Sequence, residues 1–429
     1  MKRLMLAAMF AACACAEEPQ GPALADELAV VPGLHVFAAD AWTDGRTRVI
    51  ADFEQAVDHT NPSGQAFMQR LVIFHRDAAA PMVLSTQGYG VGEGLGTTEP
   101  TAILQANEVQ VEHRFFGASL PEPADWSQVT IAQAAGDHHA VVQALSVYYS
   151  GPWVSTGASK GGVAALAHRR FYPADVAGTV AYVAPFTMGL ADVRYVSYVN
   201  ELGADSCGAA LRDFQEEILT EPRRGELVAS LDEAMDLRGY ETSTLGTDAI
   251  LELTTVETAF TFWQYSSADN CQLIPDVATD SDDEVLSFID ATNRFALWSD
   301  QGIAEDQGYW LAVAAEQGYP AVPKAHLGGL LRHDDEPTPL RMVTALASPP
   351  AYDPGPMQDL ADWVATEAAN VVLIYGSRDP WTAGAFTISG ANDTSSHLVT
   401  GGNHLARVRS LPQNEQDAIV TRLEAWLAR

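Results

Sequence analysis

Residues 154–162 read VSTGASKGG, and within them Gly157-Ala158-Ser159-Lys160-Gly161 fits Gly-Xaa-Ser-Xaa-Gly. Trp153 and Val154 lead in as a short apolar strand, and VAALAHRRFYP follows as a helix that stops before Pro173. A serine at a sharp strand-to-helix turn sits in strained backbone, so its neighbours have to be small. The helix N-terminus behind it then favours negative charge on a substrate oxygen. The pattern alone is weak, and its context makes Ser159 the candidate nucleophile. Ser155 belongs to the strand end. Two rival readings exist. A phosphate loop requires GxxxxGK followed by Ser or Thr, whereas here Lys160 precedes the glycine pair and neither follows a Gly-Lys. A structural Gly/Ser turn would need no partners elsewhere in the chain.

The surroundings alternate between strand and helix. RLVIFHRD (70–77), PMVLSTQGYG (81–90) and EVQVEHRFFGAS (108–119) are β-rich runs bounded by turn residues. TIAQAAGDHHAVVQALSVYY (130–149) has helical spacing, and GTVAYVAPF (178–186) reads as a buried strand. This rhythm predicts an α/β domain with a mostly parallel sheet. Between about 190 and 345 the character changes to long helical stretches, with aromatics at FTFWQYSS (260–267) and an acidic loop at 276–285. The α/β rhythm resumes at ANVVLIYGSRDPWTAG (369–384) and SHLVTGGNHLARV (396–408). The expected organisation is therefore a signal at 1–16, a loose acidic leader at 17–44, and α/β segments at 45–189 and 346–429. A helical cap at 190–345 would separate the two segments.

The chain has 429 residues, 47% hydrophobic and 19% charged, with 56 acidic against 24 basic residues and a net charge of −32. Such a surface repels nucleic acid and anionic lipid, which excludes both as partners. The start, MKRLMLAAMFAACACAEEPQ, pairs a basic tip with a short apolar run. The run is far below the roughly 20 residues a membrane helix needs, so it reads as a secretory signal. Phe-Ala-Ala before Cys13 is similar to a lipoprotein signal, with Cys15 as a second candidate for lipidation. A lipid anchor would be the one membrane link, and the expected location is exported, in the cell envelope or secreted. Once such a signal is removed, Cys207 and Cys271 remain, and two cysteines in an oxidising compartment suggest one disulfide. No CxxC or HExxH is present, and the adjacent His138 and His139 would point about 100° apart on a helix. No metal site and no cofactor are expected.

A nucleophilic serine needs a base and an acid that orients it. In α/β-hydrolases these follow in the order Ser, Asp or Glu, His, each after a strand. Asp379 follows the apolar strand VVLIYG, and His404 lies in the loop after HLVTGG. Asp393 is a weaker alternative acid, and His397 belongs to the strand itself. The backbone N–H of Lys160 is the expected first oxyanion donor. Gly88 and Tyr89, in the glycine-rich loop after an earlier strand, are candidates for the second.

The stretches DHTNPSGQAFMQRLVIFHRD, VEHRFFGAS, STGASKGGVAALAHRRFYPADVAGTVAYVAPF, FWQYSSADNCQLIP, YGSRDPWTAGAF and GGNHLARV together resemble the secreted bacterial tripeptidyl aminopeptidases, prolyl tri- and tetrapeptidyl enzymes among them. More distantly they are similar to the lysosomal Pro-Xaa carboxypeptidases. The resemblance runs from about Phe53 to Leu405. It implies an α/β-hydrolase with a helical cap, peptide substrates, release of short peptides from free N-termini, and a triad of Ser159, Asp379 and His404. An aminopeptidase must bind a free ammonium, for which Glu257 and Glu93 are candidates; the aromatics Trp263 and Tyr265 read first as cap core, though a proline-accepting pocket could use such rings. A capped esterase using the same triad, or a peptide-binding lipoprotein with a degenerate hydrolase fold, are the alternatives.

Overall fold

The structure, a computed structural model, describes residues 20–92, 94, 96–203 and 206–428. Cys13, Cys15 and Glu93 lie outside the described residues. Nine strands form one sheet: β1 (Leu34–Ala41), β2 (Thr47–Ala56), β3 (Ala66–His75), β4 (Met82–Thr86), β5 (Asn107–Val111), β6 (Trp153–Ala158), β7 (Thr179–Tyr182), β8 (Val371–Gly376) and β9 (Thr394–Val399). Their spatial order is β1-β2-β3-β5-β4-β6-β7-β8-β9. The pairs from β1 to β5 through β2 and β3 are antiparallel, and every pair from β5 through β4 to β9 is parallel. This is the α/β-hydrolase fold.

Burial follows the sheet geometry. Strand β2, near the antiparallel edge, alternates buried and less buried residues as a one-sided strand must. The central strands β4, β5, β7 and β8 are buried at every position, which their apolar runs require. One face of the sheet is packed by Val141, Val142 and Leu145 of the helix Ile131–Leu145. The helix Lys160–Phe171 packs Val163 and Leu166 against Leu360 and Trp363 of the helix Gly355–Thr366. The C-terminal helix Gln413–Leu427 covers the other face with Ile419, Leu423 and Trp426.

The segment 17–44, expected as a leader, is not loose within its described part. Gln20–Leu28 is a helix whose Leu24 and Leu28, four residues apart, lie on one face and are buried with Leu34 and Phe53. Strand β1 then closes the antiparallel edge against β2. Leu24 and Leu28 dock this helix on the apolar face of the sheet. The acidic residues between them face outward.

Between β7 and β8 the chain builds a helical layer. The helices Arg223–Leu237, Thr247–Tyr265 and Asp282–Asn293 pack around Leu227, Leu231, Ile250, Leu251, Val285 and Ile289. Phe115 and Val129 from the α/β part join the same core, so the layers share apolar contact. A disulfide joins Cys207 to Cys271. It ties the helix Ser206–Ile218 to the turn after the helix Thr247–Tyr265. No described helix is long and apolar enough to cross a membrane.

Candidate active site

The centre of the site is the turn between β6 and the helix Lys160–Phe171. Ser159 occupies it with φ +56° and ψ −127°. Such backbone costs a non-glycine residue on the order of 1–3 kcal/mol and persists only where the surroundings enforce it. Here they do. The Ser159 N–H donates to the Tyr182 carbonyl at 2.9 Å, and the Thr86 hydroxyl donates to the Gly161 carbonyl at 2.7 Å. A Cβ on Gly157 would run into the Gly161 carbonyl, and one on Gly161 into the Thr86 carbonyl. Both glycines of the motif are thus required by close backbone approach.

Asp379 and His404 sit in the loops that follow β8 and β9. The Asp379 carboxylate is fully buried. Its Oδ1 accepts from the Trp381 N–H at 3.1 Å, and its Oδ2 lies 2.7 Å from His404 Nδ1. A carboxylate oxygen accepts, so this contact gives Nδ1 the donor role. The backbone of His404 is held from the helical layer: its N–H donates to the Gln264 carbonyl at 3.0 Å. The rings of Tyr265 and Trp381 flank the imidazole, with centroids at 5.8 and 6.4 Å.

Ser159 opens onto a cleft that Tyr89, Lys160, Thr187, Tyr309, Gln317 and Trp381 help to line. Trp381 therefore touches both the cleft and the Asp379–His404 pair. No hydrogen bond joins Ser159 to His404 among the described residues. Such bonds commonly tighten only when substrate is bound. Gly88 lies against the first turn of the helix, where a Cβ would come within 2.8 Å of the Gly161 nitrogen and of Lys160 Cβ. Tyr89, next in sequence, reaches the cleft wall and packs on Phe116 at 5.5 Å.

The remaining candidates separate. Glu257 accepts a hydrogen bond from the Tyr319 hydroxyl at 2.9 Å, and no ion pair reaches it among the described residues. Burial pushes its carboxyl up to about 7. It lies within electrostatic reach of Tyr309 on the cleft wall. Tyr265 is 57% exposed beside His404, at the rim. Trp263 is fully buried in a core with Tyr195, Phe260 and Phe262, the cap-core placement rather than the pocket one. Two residues apart on a helix means about 200° of rotation, so Trp263 and Tyr265 face opposite ways. Asp393 is taken up elsewhere, accepting from Trp426 Nε1 at 2.6 Å and pairing with Arg422 at 2.9 Å. His397 pairs with Glu415 at 2.6 Å. Tyr309 and Gln317 carried no sequence signal, and Trp381 stood in a quoted motif without a role. No cluster of three or more metal-ligating side chains occurs among the described residues.

The family model of PS-10 peptidase S37 matches residues 17–428. The chain belongs to the S37 peptidase family. It is therefore a hydrolase of the serine peptidase type. It is 34% identical over 406 residues to the prolyl tri/tetrapeptidyl aminopeptidase of Streptomyces mobaraensis, covering 94% of this chain and 84% of that one. Among solved structures it is similar to a proline iminopeptidase of Mycobacterium smegmatis, at 13% identity and a TM-score of 0.39, over 88% of this chain and 99% of that one. It is also similar to VinJ, at 13% identity and a TM-score of 0.39, over 84% and 96%.

Proposed function

We propose that this S37 peptidase is an exported serine exopeptidase that releases tri- or tetrapeptides from free N-termini, with Ser159 as nucleophile, His404 as base and Asp379 as its orienting acid. The observation that carries the reading is the pairing of a strained Ser159 at the cleft with a buried Asp379 that sets the His404 tautomer. His404 Nε2 takes the Ser159 proton as Oγ attacks the scissile carbonyl. The N–H groups of Lys160 and of the Gly88–Tyr89 strip receive the oxyanion. Collapse of the tetrahedral adduct passes the proton to the leaving amine and leaves an ester on Ser159. Water, deprotonated by His404, then frees the N-terminal fragment and restores the serine.

Glu257 is the proposed reader of the substrate ammonium. Its carboxyl accepts from Tyr319, which directly follows the cleft residue Gly318, and no ion pair reaches it among the described residues. The name of the Streptomyces relative motivates a Xaa-Xaa-Pro substrate. The test is hydrolysis of a free Xaa-Xaa-Pro p-nitroanilide against its N-acetylated form and against a simple p-nitrophenyl ester. The free tripeptide anilide should be hydrolysed well, and the acetylated one poorly. Equal rates on free and acetylated peptides would overturn the exopeptidase reading, and activity on the ester alone would favour a capped esterase. Export, with an anchor at Cys13, rests on the N-terminal sequence, and fractionation of the native host checks it.

A further inference from the structure

We propose that the side chain of Lys160 is a positioning residue, which holds the Gly88 carbonyl and so turns the Tyr89 N–H toward Ser159. The inference rests on Ser159 being the nucleophile. Lys160 follows Ser159 directly, and its side chain is only 5% exposed. Burying an amine is costly, and an apolar residue at this helix position would avoid the cost. Burial pushes its ammonium well below the usual lysine range, with the charge of Asp306 opposing that shift. No carboxylate forms an ion pair with it among the described residues. Its hydrogen bond goes to the Gly88 carbonyl, at 2.8 Å from Nζ. Its Nζ lies 5.1 Å from the Phe116 ring centroid and 5.8 Å from that of Tyr89.

In a trans peptide the C=O and the following N–H point in opposite directions. Anchoring the Gly88 oxygen therefore fixes where the Tyr89 N–H aims. Nearby contacts hold the same strip. The Gln87 N–H donates to the Val111 carbonyl at 3.2 Å, and the Tyr89 carbonyl accepts from the His113 N–H at 3.1 Å. Gly88 itself is wedged against Lys160 Cβ and the Gly161 nitrogen. Among the described residues nothing accepts from the Tyr89 N–H. Tyr89, Ser159 and Lys160 line one cleft. Lys160 would thus supply one oxyanion donor with its own N–H and aim the second with its ammonium. Without the Lys160 contact the Gly88–Tyr89 peptide plane could rotate, and the donor would drift from the position the oxyanion takes.

Lys160→Met tests this, since it keeps the length and apolar stem, keeps the backbone N–H and removes the side-chain donor. Oxyanion donors act in the transition state, so kcat on the free tripeptide anilide should fall by about 10- to 100-fold with KM unchanged. A peptide boronic acid, which forms a tetrahedral adduct, should lose affinity by a similar factor, while the product tripeptide inhibits as before. Folding stability should change little, because the loss of a buried amine is offset by the Gly88 carbonyl left without its donor. Wild-type kcat and boronate affinity in the variant would overturn the inference, as would a rise in KM matched by weaker product binding. Fluorophosphonate labelling of the wild type separates the two claims. Labelling at Ser159 together with normal turnover by Lys160→Met removes this inference alone, whereas no labelling at Ser159 removes both. Should the variant fail to fold, a crystal structure of the wild type with the boronic acid decides. Tyr89 N within about 3 Å of the boronate oxygen supports the inference, and a second donor from elsewhere overturns it.

Discussion

Replacing Asp379 with asparagine exchanges one oxygen for an NH2 group, and the surrounding hydrogen bonds dictate which one. Oδ1 accepts from the Trp381 N–H at 3.1 Å, and that donor cannot reverse. The amide oxygen of asparagine must therefore stay on Trp381. The amide nitrogen then faces His404 Nδ1, where Oδ2 lies at 2.7 Å in the native protein. His404 has to accept there, so its proton moves to Nε2, and the lone pair that would take the Ser159 proton is lost. The stabilising charge for the imidazolium is lost as well. Losing an acid that orients a histidine in this way lowers kcat about 10⁴-fold, equivalent to about 5.5 kcal/mol in the barrier. The lost charge-assisted bond should remove only about 1–3 kcal/mol of stability. Steady-state kinetics on a free tripeptide anilide, beside a thermal melt, measure both. A folded Asp379→Asn protein within tenfold of wild-type kcat would refute the tautomer argument.

Other outcomes follow from named contacts. Glu257→Gln should raise KM for free N-termini by about tenfold or more, as loss of a charge-assisted contact does, and leave acetylated substrates unaffected. Burial raises the Glu257 carboxyl to about 7. In the wild type, KM should therefore worsen as pH falls below 7, and this dependence should vanish in the variant. A raised carboxyl also loses folded-state stability as pH climbs from about 4.3 to 7, so Glu257→Gln should melt higher than wild type at pH 8 and equally at pH 4. Arg114 and Asp137 form a fully buried pair through two contacts, at 2.7 and 2.6 Å. Arg114→Ala takes the guanidinium from a buried carboxylate that keeps His59 at 2.8 Å, and should cost about 3–5 kcal/mol by denaturant titration. Burial pushes the Asp137 carboxyl up, but the charge and hydrogen bonds of Arg114, with His59, outweigh it and hold it low. The wild-type pair should then stabilise above about pH 4 and weaken as pH falls through the lowered Asp137 pKa. Cys207 and Cys271 lie 64 residues apart, so the double alanine variant should lose about 4 kcal/mol on the chain-entropy account. It should also lower kcat through the Gln264 contact to His404.

The parts legible in the sequence were those where one local demand decides the residue. Gly157 and Gly161 are dictated by backbone approach, so the turn and Ser159 were readable. VVLIYG is buried on both faces of β8, so its apolar run marked a parallel strand, and chain order then pointed to Asp379 and His404. What depends on distant partners was not legible. Among the described side chains of the helix Gln20–Leu28, Leu24 and Leu28 form the buried face among acidic neighbours. Trp263 and Tyr265 are chemically alike, and only the helix face decides that one is core and the other rim. The lysine ammonium of Lys160 meets a carbonyl 72 positions earlier in the chain. No local pattern announces such a contact.

The central claim is that Ser159 is the activated nucleophile of this peptidase. The most direct measurement is reaction of the folded protein with a fluorophosphonate, followed by mass mapping of the adduct. One adduct is expected, on Ser159, forming in step with loss of peptidase activity and slowing sharply in Asp379→Asn. An adduct on another residue, or full activity after Ser159 is modified, would contradict it.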